Sequence, residues 1–259
     1  MKQILSAILI MCLLLFPVSS LGNFDFSTMT DEELKQFIVL AQAELYSRQE
    51  KADEAALKKD GVLSIKETGF LKYDDRIHVA FIVHNNLSDK AIREPDFRVT
   101  FRDGKGDVIA VKSVFCYEYI LPGEDFAVLE DFSSDSIEET PVSMEVEYTD
   151  PVNDYNCVPV SSLKYADAIP LSIASVNLKK DCLVGEIYNP NSYDIDHAWV
   201  SVVFRNKNGQ LLGGALHLEH TIKAGKKTAF DFSYKTYHLK GIVKDYYEVY
   251  CGIQYGYHN

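Results

Sequence analysis

Val99-Thr-Phe-Arg-Asp-Gly-Lys-Gly-Asp-Val-Ile109 and Val202-Val-Phe-Arg-Asn-Lys-Asn-Gly-Gln-Leu-Leu212 match almost position for position. Each reads as a strand, a polar turn ending in Gly106 or Gly209, and the start of a second strand. The agreement continues outward. Upstream, Leu63-Ser-Ile65 lies on Leu171-Ser-Ile173, and Val83-His-Asn85 on Ile187-Tyr-Asn189. Downstream, Leu121-Pro-Gly-Glu124 lies on Lys223-Ala-Gly-Lys226, each followed by an apolar run. The offset drifts from 108 to 104, 103 and 102, so order is kept and the gaps fall between strands. That is the signature of a duplicated unit. The units are not helical, because Ile77, Val79, Phe81 and Val83 alternate with His78, Ala80, Ile82 and His84.

The expected fold is mainly β: two tandem antiparallel immunoglobulin-like sandwiches, preceded by a signal peptide and one α-helix. The boundaries are 1–20 for the leader, 28–60 for the helix, 61–150 for unit one, 151–167 for a turn-rich linker and 168–259 for unit two. In unit one, strands are predicted at 62–66, 76–84, 96–102, 107–120, 126–131 and 142–148. In unit two they fall near 170–177, 182–188, 198–205, 210–220, 228–234 and 246–255. Six or more short strands within about a hundred residues suit an antiparallel sandwich.

The motif residues also carry a resemblance. Asn85, Val99, Phe101, Asp103, Gly106, Pro122, Gly123 and Glu124 resemble the pattern of FxLYD-type domains and related immunoglobulin-like modules of bacterial envelope proteins. Asn189, Val202, Phe204, Asn206, Gly209 and Gly225 repeat it in unit two, without the Pro and Glu of the Pro-Gly-Glu turn. Neither unit has the Leu-Tyr-Asp string. The resemblance implies an extracytoplasmic module with no catalytic residues to carry over.

Met1-Lys-Gln3, the apolar run Ile4 to Val18 and Ser19-Ser-Leu-Gly22 read as a secretory leader, cleaved after Ser20 or Gly22. A lipid-anchored alternative would need small residues before Cys12, where Ile10-Met11 stands. Thr30-Asp-Glu-Glu33 is a capping box opening a helix with an apolar row at Leu34, Phe37, Ile38, Ala41 and Leu45. That row offers self-association or partner binding, or docking of Phe37 and Ile38 onto a sheet.

The net charge is −12, and removing the leader takes away only Lys2. No basic run offsets this, which argues against nucleic acid and anionic lipid as partners. No membrane span is expected in the mature chain. Four cysteines outside the leader permit two disulfides, Cys182–Cys251 and Cys116–Cys157. The first is complicated by parity: Cys182 lies opposite the face of Leu183 and Ile187, so a bond between edge strands or no bond remains open.

No cofactor motif and no catalytic constellation stands out, so the chain reads as non-enzymatic. His217-Leu-Glu-His220 lacks metal spacing on a strand, since His217 and Glu219 share a face and His220 points away. Asp194 with Asp196, and Asp131 with Asp135, supply oxygens for calcium without its loop pattern. Seven tyrosines crowd into the last 26 residues. Of these, Tyr234, Tyr237, Tyr250 and Tyr257 form the expected contact surface for a protein or envelope component. Two other readings stand beside this one: a carrier or sensor using the cleft between the units, and an extracellular hydrolase.

Overall fold

A computed structural model describes residues 29–137, 139–150, 156–179, 182–233 and 246–255. The expected leader, and Cys12 with it, lies outside the described residues. The chain divides into a helical segment reaching Lys59 and a β body from Asp60 onward.

The helix, α1, spans Asp31–Asp60. It starts where the capping box predicts. Thr30 N–H and Oγ1–H donate to Glu33 Oε2 at 3.0 and 2.8 Å, and Glu33 N–H donates back to Thr30 Oγ1 at 3.3 Å. Leu34, Ile38 and Leu45 are exposed and Phe37 is buried. No helix among the described residues is long and apolar enough to cross a membrane.

The first half of the β body holds β1 (Leu63–Tyr73), β2 (Arg76–Asn85), β3 (Lys90–Arg93), β4 (Asp96–Arg102), β5 (Val108–Phe115), β6 (Tyr119–Ile120), β7 (Asp125–Ser133), β8 (Ser143–Tyr148) and β9 (Cys157–Pro159). The second half holds β10 (Ser172–Leu178), β11 (Cys182–Tyr188), β12 (Ile195–Arg205), β13 (Leu211–Ile222), β14 (Lys227–Ser233) and β15 (Tyr246–Ile253). Sheet order β1-β2-β7 is repeated as β10-β11-β14, and β5-β4-β8 as β13-β12-β15. All described pairings are antiparallel. Even the irregularities recur: β-bulges at Ile65/Glu67 and Ile173/Ser175, and at Phe101/Arg102 and Phe204/Arg205. The two copies of the quoted stretch therefore fold alike.

The matched polar residues are used in building turns. Asp103 Oδ1 accepts the Lys105 and Asp107 N–H groups, and Asn206 Oδ1 accepts those of Asn208 and Gln210. Gly106 and Gly209 then take φ of 89° and 81°, where a side chain would be strained. Arg102 and Arg205 donate to the carbonyls of these glycines at 3.0 and 2.9 Å. Deeper in, Asn85 and Asn189 are fully buried. Asn85 bonds the carbonyls of Lys90 and Ile120 and the N–H of Leu87. Asn189 bonds those of Tyr193 and Ile222 and the N–H of Asn191. Each amide ties a strand end to the turn that follows and to the distant strand beside it.

Two sheets of the first half face each other across a core of Val79, Phe81, Val83, Phe97, Val99, Phe101 and Phe126. Phe81 meets Phe97 edge-on at 5.0 Å. The second half repeats the order of these two sheets with different core residues, and at one pair the large side chain is reversed. Phe81 pairs across strands with Val128, whereas Gly185 pairs with Phe230 at the matching place. A Cβ on Gly185 would lie 2.4 Å from the Phe230 ring. The large side chain has changed strands, and the valine that faced it is replaced by a glycine, whose space the Phe230 ring takes.

Three features differ from the sequence expectation. First, β3 and β9 are strands where a gap and a linker were predicted; they pair with each other, and β6 joins β3. The linker is thus partly built into the first half. Second, the long strand predicted at 107–120 is split into β5 and β6. Third, β2 is buried on both faces, not one. Ala80, Ile82 and Ala127 form a separate core with Val203 and Leu211 of the second half. The halves are therefore packed together and not merely strung in tandem.

Candidate functional site

The contact between the halves is where chemistry-bearing side chains converge. It is set by β12, which is buried along nearly its whole length. Val200, Val202 and Phe204 enter the core of the second half, while Trp199 enters the core of the first. The indole meets Phe126 at 4.8 Å and 71°. Gly252 on β15 leaves it room, since a Cβ there would lie 2.5 Å from the ring.

One end of this junction is clasped by Arg205. Its Nη1 lies 2.6 Å from Glu67 Oε2 on β1, and its Nε lies 3.0 Å from Glu248 Oε1 on β15. The Tyr250 hydroxyl donates to Glu248 Oε2 at 2.5 Å. Burial pushes the Glu248 carboxyl up, but the bonds from Tyr250 and Arg205 prevail and hold it below the usual range. Arg102, at the equivalent place in the first half, pairs within its own sheet, with Glu145 at 3.1 Å. Beside the clasp, Glu67, Phe70, Val142, Met144, Gln210 and Leu211 line an open cavity of about 440 Å³.

The other end holds a buried acid. Glu118, between β5 and β6, is 1% exposed, and Gln254, just past β15, is 5% exposed. Gln254 Nε2 donates to Glu118 Oε1 at 2.8 Å, bridging 136 residues of sequence. Both backbones are pinned, Glu118 O by the N–H of Glu94 and Gln254 N–H by the carbonyl of His197. Burial pushes the Glu118 carboxyl up to about 8, against the Gln254 bond and with help from the charges of Glu124 and Glu94. Glu124 is itself raised to about 7, first by burial, although the Leu121 N–H donates to it at 2.8 Å.

The predicted site residues fare differently. Tyr234, Tyr237 and Tyr257 lie outside the described residues. Tyr250 does point away from the core of the second half, but it packs against the first half instead of facing solvent. Parity gave its direction; only the docked halves reveal what it meets. No disulfide holds Cys116, Cys157, Cys182 or Cys251, so neither expected pair is bonded. Leu183 and Ile187 enter the core of the second half and Cys251 packs against it, while Cys182 does not, in keeping with the parity objection. Burial raises the Cys116 thiol and pushes Cys251 up to about 12, which keeps both protonated and poorly reactive. All four should therefore take a thiol label in denaturant to the same extent with and without prior reduction; a mass showing fewer labels without reductant would contradict free thiols.

His217 Nε2 and Glu219 Oε1 lie 2.8 Å apart on one face, while His220 stacks edge-on against His197. No group of three metal-ligating side chains occurs among the described residues. Asp194 and Asp196 are held by Lys223 and Lys164, bonds that lower both carboxyls. Asp131 pairs with His78 at 2.7 Å. This is a cross-strand pair, and Cys182 and Ser233 take its place in the second half. Glu67, Glu118 and Gln254 were not singled out by the sequence, because no spacing marks an acid whose partner lies in another copy.

No protein-family model and no curated protein matches the chain. Among solved structures, red sea bream transglutaminase shares 10% identity at TM-score 0.24, covering 77% of this chain and 32% of that one. A calcium-binding mutant of Bacteroides uniformis beta-glucuronidase 2 shares 12% identity at TM-score 0.18, covering 65% of this chain. The chain spans only 23% of that enzyme's length. Overlaps of this quality carry no argument about chemistry.

Proposed function

We propose that this chain is an exported, non-enzymatic interaction or structural module of the cell envelope, its body built as two immunoglobulin-like sandwiches. The observation that carries the reading is an exposed apolar sheet edge. Among the described residues, β5 pairs only with β4. Around it Val108, Val111, Phe115 and Tyr117 are each more than half exposed, between 51% and 69%. The Phe115 and Tyr117 rings stack at 6.0 Å. Apolar groups and open backbone bonds gathered on one edge favour contact with another surface. The motif residues, in turn, are taken up by turns and strand ends.

The test is fractionation of the native host together with a Phe115→Lys/Tyr117→Lys variant. The expected result is recovery in the extracytoplasmic fraction with the leader removed. The variant, still folded by circular dichroism, is released from the envelope. Cytosolic chain with Met1 retained, or equal envelope retention of the two proteins, would sink the proposal.

The cavity beside Arg205 supports a second reading, a carrier of a small molecule held between the halves. A Met144→Trp variant that abolishes ligand-induced thermal shifts would favour it over the first.

A further inference from the structure

We infer that Glu118 keeps its proton in the folded chain and forms a two-way acid–amide pair with Gln254, a latch between the halves that opens when that proton leaves. The argument begins with hydrogen-bond arithmetic. Gln254 Nε2 donates to Glu118 Oε1. Glu118 Oε2 and Gln254 Oε1 are both buried and have no partner among the described residues. A carboxylate oxygen and an amide oxygen are both acceptors, so neither can satisfy the other while Glu118 is ionised. A proton on Oε2 turns that atom into a donor, and the acceptor left over belongs to the amide already in contact. One proton removes two buried, unsatisfied atoms at once. Exchanging the amide's oxygen and nitrogen changes nothing, because the pair still needs a donor from the acid.

The surroundings favour the neutral form. The groups facing the pair come from every neighbouring element. Glu94 lies in the turn before β4 and Glu124 in the turn before β7, and both charges act on Glu118. The Cys116 thiol donates to the Glu118 carbonyl at 3.9 Å. Past β15, the Tyr255 ring lies 6.4 Å from that of Tyr119. On β3, the Arg93 guanidinium sits 6.0 Å from the centre of the Tyr119 ring, with its Nε 3.8 Å from Glu94. The charges that act on Glu118 are thus those of two other acids, both raising its carboxyl.

The pH dependence follows in sign. The folded value of about 8 lies above the ordinary 4.5. The folded state therefore binds the extra proton between those limits. The stabilisation is complete below about pH 4.5, declines as pH rises, and is gone above about pH 8. Within the window each pH unit shifts the folding equilibrium up to about tenfold. Glu124 adds a similar dependence up to about pH 7.

The test is denaturant unfolding of the full chain from pH 5 to 9 for wild type, E118Q and E124Q. E118Q places an amide where the neutral acid stood, which can still donate to Gln254. Its folding equilibrium should lose one proton's worth of pH dependence and exceed wild type at least tenfold at pH 8.5. E124Q should retain the Glu118 dependence up to about pH 8. Infrared spectra of E124Q at pH 6 should contain a protonated-carboxyl band that disappears near pH 8. This reading does not require E118Q to fold. An E118Q slope equal to wild type, or no carboxyl band in E124Q at pH 6, would overturn the proposal.

Discussion

The Trp199→Ala chain should unfold about 3–5 kcal/mol more easily than the parent. Trp199 is 2% exposed and belongs, by its neighbours, to the core of the half it does not come from. Truncation removes a large apolar area and leaves a hollow that Phe126, held in its own sheet, closes only in part. Trp199→Phe should lose less, since a ring still reaches Phe126. Because Trp199 is the chain's only tryptophan, urea unfolding is best followed by circular dichroism. In the parent, its fluorescence should report the docking of the halves and change together with the backbone signal. A loss below about 1 kcal/mol, typical of surface substitutions, would mean that the halves do not share a core.

Asn85→Ala and Asn189→Ala should be comparably severe, each costing roughly 3–5 kcal/mol. Both amides satisfy two carbonyls and one N–H in positions sealed from water. Alanine strands all three, at about 1–3 kcal/mol per unsatisfied buried group. Asn→Asp at either place should also fail, because a carboxylate offers no donor to the two carbonyls. Asn206→Ala, in an exposed turn, is the control and should cost less than about 1 kcal/mol. Thermal or urea unfolding of the five variants checks the order. Similar costs for Asn85, Asn189 and Asn206 would show that the amides are not structural ties.

Much of the architecture was legible because its signals are local. The capping box at Thr30, the turns closed by Gly106 and Gly209, and the period-two runs all rest on a few adjacent residues. Those signals gave mainly β structure, one helix and a repeat of strands in order. What escaped depends on distant partners. β9 ends in a proline and is only three residues long, so nothing local marks it as a strand; its ladder with β3 is created by the fold. Ala80 and Ile82 looked like the second face of an ordinary amphipathic strand, and their burial required the other half. Tyr250 was assigned the right direction and the wrong surroundings for the same reason. Glu118 is a single acid among aromatic neighbours, and its meaning lies in Gln254. Apart from Arg205, whose counterpart is Arg102, the polar contacts of the junction use residues that the repeat does not display.

The exchange of Phe81 and Val128 for Gly185 and Phe230 bears on how the nascent chain assembles. Copies with the same bulges, turns and ladder order are candidates to trade strands while folding. Were β2 to mate with β14, two phenylalanines would compete for one space. Were β11 to mate with β7, glycine would oppose valine and leave a void. Either hybrid is penalised at its centre, while both correct matings are well filled. The phenylalanine that changed strands thus acts as a proofreading mark between the halves.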